Sequence, residues 1–184
     1  MKLPIRHFDP FNCKKQDLRL RQKTHKIVNL HEDNVIQCME DLNDTLNDLL
    51  YSTCENIEGL AAPQIGYSFS ICAVQIRKKR YILINPVIVN HSDRKRLFKI
   101  DSLSLCGYRA LIRYYDRVMI SYTDKDGIVC TLTVEDEVAC TIQCLMDHLL
   151  GILPFDRLEN NKYDLFFPRE KIYGNNVPLK NYGL

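Results

Sequence analysis

Cys144 and His148 stand four residues apart in Gln143–Leu158, QCLMDHLLGILPFDRL, a segment with helical periodicity. That spacing stacks two side chains on one helix face, where both can grip one metal ion. Between them, where hydrolytic metal helices carry a glutamate base, the chain has Leu145. The segment therefore has the frame of a metallohydrolase site without its proton-transfer group. Alone, a Cys-x-x-x-His pair is a weak signal, since a lone histidine is usually a hydrogen-bonded core or surface residue.

The element that must position these residues is a helix predicted from about Glu135 to Leu150. Asp136 and Glu137 suit its positive N-terminal end, and Gly151 suits its stop. Val138, Ile142, Leu145 and Leu149 form one apolar stripe; Ala139, Met146 and Leu150 form a second. A helix apolar on most sides is buried. Its remaining face carries Glu137, Cys140, Thr141, Cys144 and His148, and a polar stripe on a buried helix needs partners or must line a cavity.

Upstream, residues 34–53 make an amphipathic helix, with Val35, Cys38, Met39, Leu42, Leu46, Leu49 and Leu50 on one face and Asp33 or Asn34 as cap. It is read as a scaffold helix packed on a sheet. A Gly-Pro loop, Gly59–Gly66, follows. β-type runs are predicted at Ser70–Ile76, Tyr81–Val89, Leu97–Ile100, Arg117–Thr123 and Ile128–Val134, the last two joined by an Asp-Lys-Asp-Gly hairpin turn. A short helix is predicted near Lys15–Lys23, and the polar tail Glu159–Leu184 is expected to wrap the surface. Strands preceding a late central helix make the fold class α+β.

The 184 residues suit a single domain spanning 1–184, and 46% hydrophobic with 26% charged residues is ordinary for a globular chain. A net charge of +2 argues against nucleic acid or an anionic membrane as partner. The basic clusters Arg77-Lys78-Lys79-Arg80 and Arg94-Lys95-Arg96 read as solvated turns. No apolar stretch has the roughly 18 residues of a membrane span, and MKLPIRHFDP lacks a signal-peptide core, so a cytoplasmic location is expected. The eight cysteines include no CxxC pair and read as free thiols in a reducing compartment.

Three separated segments resemble, in order and spacing, the motifs of peptide deformylases. The first family motif, G-x-G-x-A-A-x-Q, falls on Ile57-Glu58-Gly59-Leu60-Ala61-Ala62-Pro63-Gln64. The second, E-G-C-L-S, falls on Ile100-Asp101-Ser102-Leu103-Ser104 and runs on into Gly107-Tyr108-Arg109-Ala110-Leu111. The third, Q-H-E-x-D-H-L-x-G, falls on Gln143–Gly151, and Phe155-Asp156-Arg157-Leu158 continues the likeness. The resemblance covers about residues 3–160. It implies a peptide-deformylase-like α+β fold, with antiparallel or mixed sheets around a central metal-site helix.

It also implies an activity, removal of the formyl group from the N-terminal methionine of new polypeptides, with iron or zinc held by the motif-two cysteine and two motif-three histidines. Carried over residue by residue, Gln64 and the Leu103 backbone N–H match the oxyanion donors, and His148 matches a metal ligand. Ser102 stands where the ligand cysteine should be, and a neutral hydroxyl lacks the charge and softness of a thiolate. Cys144 replaces the first ligand histidine, and Leu145 replaces the base. Arg109 and Asp147 match family residues, while Ile100 and Asp101 depart from the motif-two opening. Gly59, Gln64, Leu103, Arg109, Glu137 and Thr141 are expected to line the binding groove, where Glu58, Glu137, Cys140 and Thr141 make a methionine pocket more polar.

The expectation is a deformylase-like protein whose deformylase activity is lost or greatly reduced. Its remnant metal site at Ser102, Cys144 and His148 would hold no ion or a weakly bound divalent metal, and its groove would take nascent or N-formylated peptides. The alternative is an active hydrolase with an altered site, either zinc on Cys144 and His148 with Ser102, Cys106 or Glu137 as third ligand, or Cys144 as a nucleophile.

Overall fold

The computed structural model describes residues 1–7, 17–52, 59–104, 108–158 and 166–168. Helix α1 runs Asp33–Ser52 and helix α2 runs Asp136–Leu149. The strands are β1 (Gly59–Ala61), β2 (Ile71–Ile76), β3 (Lys79–His91), β4 (Lys95–Ile100), β5 (Tyr108–Tyr115), β6 (Arg117–Thr123), β7 (Val129–Glu135) and β8 (Phe166–Pro168). They form a five-stranded sheet in the order β1-β2-β3-β6-β7 and a three-stranded sheet in the order β4-β5-β8, with all pairs antiparallel. This is an α+β architecture.

Period-two alternation along β2 and β3 sorts side chains to opposite faces of the large sheet. Ile71, Ala73, Ile82 and Ile84 pack with Val35, Cys38, Leu42 and Leu46 of α1. Cys72, Val74 and Leu83 face the other way and pack with Ala139, Ile142, Leu145 and Leu149 of α2. The opposite side of α2 meets the small sheet, where Cys140 joins Phe98, Ile100, Ala110, Ile112 and Tyr114. The layers are thus α1, large sheet, α2, small sheet. Each fully buried leucine or isoleucine in these interfaces contributes about 1.5–3 kcal/mol.

Six differences from the sequence reading have local causes. The expected Gly59–Gly66 loop is β1, paired with β2, followed by a 3-10 turn, Ala62–Ile65. The basic clusters expected as solvated turns run into strands, with Arg80 half-buried in β3 and Lys95 and Arg96 opening β4. Strand β5 was not anticipated, although Ala110, Ile112 and Tyr114 alternate inward along it. Strand β3 extends beyond Tyr81–Val89 because register shifts around Pro86 and Val89 let it continue against β6. There the Asn85 amide bonds both the N–H and the carbonyl of Ile27 (2.9 and 2.8 Å), pinning the segment that leads into α1. The expected helix near Lys15–Lys23 is a single 3-10 turn, Leu18–Arg21, begun where the Asp17 carboxylate accepts from Arg19 N–H; Lys15 and Gln16 lie outside the described residues. From the tail, Phe166–Pro168 pairs with Tyr108–Ala110 as an edge strand, and the rest lies outside the described residues.

α2 ends where the sequence places its stop. Gly151 has φ +73°, and a Cβ there would sit 2.4 Å from the Arg21 carbonyl oxygen. Only glycine fits both the left-handed backbone and the close approach.

Candidate active site

α2 carries the third motif between the two sheets, and polar side chains fix its middle and its C-terminal end. Gln143 acts as a surrogate strand residue: its carboxamide donates to the Tyr115 carbonyl (2.8 Å) and accepts from Tyr115 N–H (3.1 Å). It also donates to Ala139 O at 2.9 Å, so a buried amide is fully employed in tying α2 to β5. One turn later the buried Asp147 carboxylate accepts from Arg157 Nε (2.9 Å) and Nη2 (2.5 Å) and from the Tyr114 hydroxyl (2.6 Å). Burial pushes the Tyr114 phenol well above its ordinary range, which keeps it protonated as a donor. Asp147 and Arg157 are therefore a clamp on the end of α2 and point away from chemistry.

His148 is 1% exposed, and its Nε2 lies 3.1 Å from Ser102 Oγ. The fold thus brings the second and third motifs together, with the serine hydroxyl directly bonded to the imidazole nitrogen. The other ring nitrogen, Nδ1, is buried with no hydrogen-bond partner among the described residues. Burial lowers the histidine pKa from 6.5 to about 4, so the ring is neutral near pH 7.

Cys144 does not share that environment. It packs against the apolar cluster of the small sheet, built on Phe98, Ile100, Ile112 and Tyr114. Burial first, and then the Asp147 charge, push its thiol up to about 12, against the opposing pull of a Tyr114 hydrogen bond and of Arg157. A nucleophilic or metal-bound cysteine is a thiolate, and this setting favours the thiol.

Leu145 is 5% exposed and belongs to the cluster between α2 and the large sheet. It leans on β1: a Cβ built at Gly59 would lie 2.5 Å from Leu145 Cδ1 and 3.0 Å from Ala73 O. The glycine of the first motif and the leucine of the third are a fitted pair, one making room for the other. Gln64, 3% exposed, accepts from Ala61 N–H through its side-chain oxygen (2.9 Å) and donates through its amide to Ser104 Oγ (3.3 Å). It is held between the first and second motifs. Leu103 is half-buried against the α1 cluster.

The remaining predicted residues scatter. Glu137 is exposed at the start of α2, its carboxylate 3.9 Å from Arg96. Thr141 is half-buried and Cys140 buried on the side facing the small sheet. The Arg109 backbone pairs with Phe167 in β5; its side chain, together with Glu58, Cys106 and Gly107, lies outside the described residues. Two participants were missed by sequence reasoning, Ser104 beneath Gln64 and Tyr114 on Asp147. The inward alternation of β5 was the available signal for Tyr114, and the closing serine of the second motif was the signal for Ser104.

The donor set does not fit a tightly held divalent ion. Ser102 offers a neutral hydroxyl, the imidazole nitrogen facing it is engaged by that hydroxyl, and Cys144 packs with the apolar cluster as a protonated thiol. Among the described residues, no three His, Cys, Asp or Glu side chains converge on one point.

Comparison with known proteins places this architecture. Residues 13–164 match the family model for polypeptide deformylase. A peptide deformylase of Desulfotalea psychrophila is 30% identical over 165 residues, covering 86% of this chain and 93% of the relative. Peptide deformylase 2 of a Nostoc species is 33% identical over 152 residues, covering 77% of this chain and 82% of the relative. Among solved structures, a peptide deformylase from Legionella pneumophila superposes with TM-score 0.74 at 26% identity, covering 87% of this chain and 88% of that one. One from Synechococcus elongatus, in complex with actinonin, superposes with TM-score 0.72 at 27% identity, covering 88% and 84%.

Proposed function

The chain belongs to the peptide deformylase family, and from that premise we propose that it is a deformylase-like protein that binds peptides and has lost, or nearly lost, the power to deformylate them. The observation that carries this reading is Leu145. It occupies the motif position of the base, cannot move a proton, and is packed into the core against Gly59. A general base contributes about 100- to 10,000-fold, and its loss compounds with a weakened metal site. The hydrogen bond from Ser102 to His148 supports the same reading, because it ties up the donors an ion would need.

What survives is a place for an extended chain. β1 is the edge strand of the large sheet, and peptides add to such edges through backbone hydrogen bonds. Gln64 and Leu103 stand beside it with their positions fixed by packing. Nascent or N-formylated peptides are the partners this groove would take. Titration with formyl-methionyl and unformylated peptides tests it, and the absence of any saturable signal at millimolar peptide would end the binding half of the proposal. For the catalytic half, Ser102→Cys, Cys144→His and Leu145→Glu together should restore stoichiometric metal and weak formate release. Formate release by the unaltered chain as fast as that of an active triple variant would refute it.

One contact favours a second reading, an altered hydrolase. With the ring proton on Nδ1, His148 Nε2 accepts from the Ser102 hydroxyl, the arrangement of a nucleophile and its base. That reading requires labelling of Ser102 by a fluorophosphonate probe; an unlabelled chain retires it. The Cys144-nucleophile version is disfavoured by the protonated, packed thiol.

A further inference from the structure

The basic run Arg77–Arg80 forms the turn of the β2–β3 hairpin and the start of β3. Residues 79–83 of β3 pair with β2, but pairing of β3 with β6 begins only at Ile84–Thr123. The β2–β3 and β6–β7 hairpins therefore splay, leaving a cavity of about 600 Å³ between them and the flank of α1. That volume suits a small organic ligand.

Arg80 stands in this cavity in an unusual setting. Its Nη1 donates to Asn43 (3.3 Å), and its Nη2 donates to Asn47 and Gln75 (3.0 Å each). All three partners are neutral amides, and Arg80 makes no ion pair among the described residues. Its Nε is buried without a partner. A half-buried guanidinium is normally matched by a carboxylate, since desolvated charge is costly when uncompensated. Here burial lowers the Arg80 pKa. The amides orient the cation without neutralising it.

Two more cations line the same cavity, Lys79 and Lys125. Two carboxylates line the cleft as well, and one of them already neutralises Lys125. Asp126 pairs with Lys125 at 2.7 Å, and Asp124 accepts from the N–H groups of Asp126 (2.9 Å) and Ile128 (2.8 Å) to close the hairpin turn. Lys79 Nζ sits 4.8 Å from the Tyr81 ring centroid and makes no ion pair among the described residues.

We propose that the cleft between the β2–β3 and β6–β7 hairpins is an anion site, in which Arg80, caged by Asn43, Asn47 and Gln75, binds the phosphate group of a small molecule with Lys79 at its side. Phosphate suits this set better than a single carboxylate. Both Nη atoms already donate to amides, so the bidentate fork that recognises a carboxylate is largely spent. A compact anion of higher charge with several acceptor oxygens can instead use the remaining Nη1 N–H and the Lys79 ammonium.

Calorimetric titration of the full chain at constant ionic strength, with orthophosphate, glycerol phosphate and acetate, tests the site. Saturable binding of either phosphate compound near one equivalent is expected, with acetate much weaker. Preference for the ester identifies a phosphomonoester as ligand; preference for orthophosphate identifies the free ion. Arg80→Gln should weaken binding roughly tenfold or more, the scale of losing charged hydrogen bonds. Should Arg80→Gln fail to fold, the exposed Lys79→Gln decides, with several-fold weakening expected. Absence of saturation, acetate binding as tightly as phosphate, or unchanged affinity in the folded variants would overturn the proposal. Ser102→Ala, outside the cleft, should leave the affinity unchanged, and its loss there would also overturn it.

Discussion

The central residue is Leu145, and its chemistry is inseparable from Gly59. In a well-packed core a misplaced methyl group costs about 1–3 kcal/mol. Gly59→Ala should destabilise the chain by about that amount, since its Cβ meets Leu145 Cδ1 at 2.5 Å and Ala73 O at 3.0 Å. Adding Leu145→Ala should recover part of the loss, and a chemical-denaturation double-mutant cycle reads that coupling. Additive effects would mean the two residues do not touch. His148 gives a second prediction. Its pKa is about 4 in the folded chain against 6.5 unfolded, so the unfolded chain binds more protons between those values. The contribution is complete above pH ~6.5 and is lost as pH falls towards ~4, amounting to up to about 3 kcal/mol. Denaturation midpoints in the presence of a chelator should fall over that window, and His148→Gln should flatten the fall. At this scale the substitutions at Ser102, Cys144 and Leu145 were legible because residue type alone decides whether a group can ligate or move a proton. That Cys144 turns to the small sheet while His148 turns to Ser102 was not legible, because it depends on which sheet each face of α2 meets.

At the scale of elements, α2 is held by polar anchors as much as by its apolar stripe. Gln143→Ala would leave the half-buried N–H and carbonyl of Tyr115 without their side-chain partner, and the buried Ala139 carbonyl without that donor. A loss of about 2–3 kcal/mol is expected from one or two unsatisfied buried groups, measured by urea denaturation. A loss below ~0.5 kcal/mol would show that the anchor is dispensable. α1 and α2 were readable from sequence to within a residue or two, because their apolar periodicity and the stop at Gly151 agree. β5 was obscured by its own composition: Arg109, Arg113 and the paired Tyr114-Tyr115 interrupt the look of a strand, although its inward residues alternate. The polar stripe expected on α2 resolves into three fates. Glu137 reaches solvent beside Arg96, Cys140 and Cys144 enter an apolar cluster, and His148 takes a serine partner. A cysteine counts as polar on a helical wheel yet packs as a small hydrophobe, which is why the wheel overstated the cavity wall.

Over the whole molecule, the layers α1, large sheet, α2 and small sheet keep the housing of the family, and β1 still presents a sheet edge beside Gln64. No helix among the described residues is long and apolar enough to cross a membrane. Fold and centre have separate physical requirements: the layers need only matched apolar faces, whereas hydrolysis needs a soft anionic ligand, free imidazole nitrogens and a base held together. The first can persist after the second is gone. The direct measurement is formate release from a formyl-methionyl peptide by the purified chain, prepared anaerobically and supplied in turn with ferrous iron, zinc, nickel and cobalt, with bound metal counted in the same samples. The expected result is release no faster than in buffer with metal alone and sub-stoichiometric metal. Sustained turnover accompanied by one tightly bound ion per chain would contradict the account.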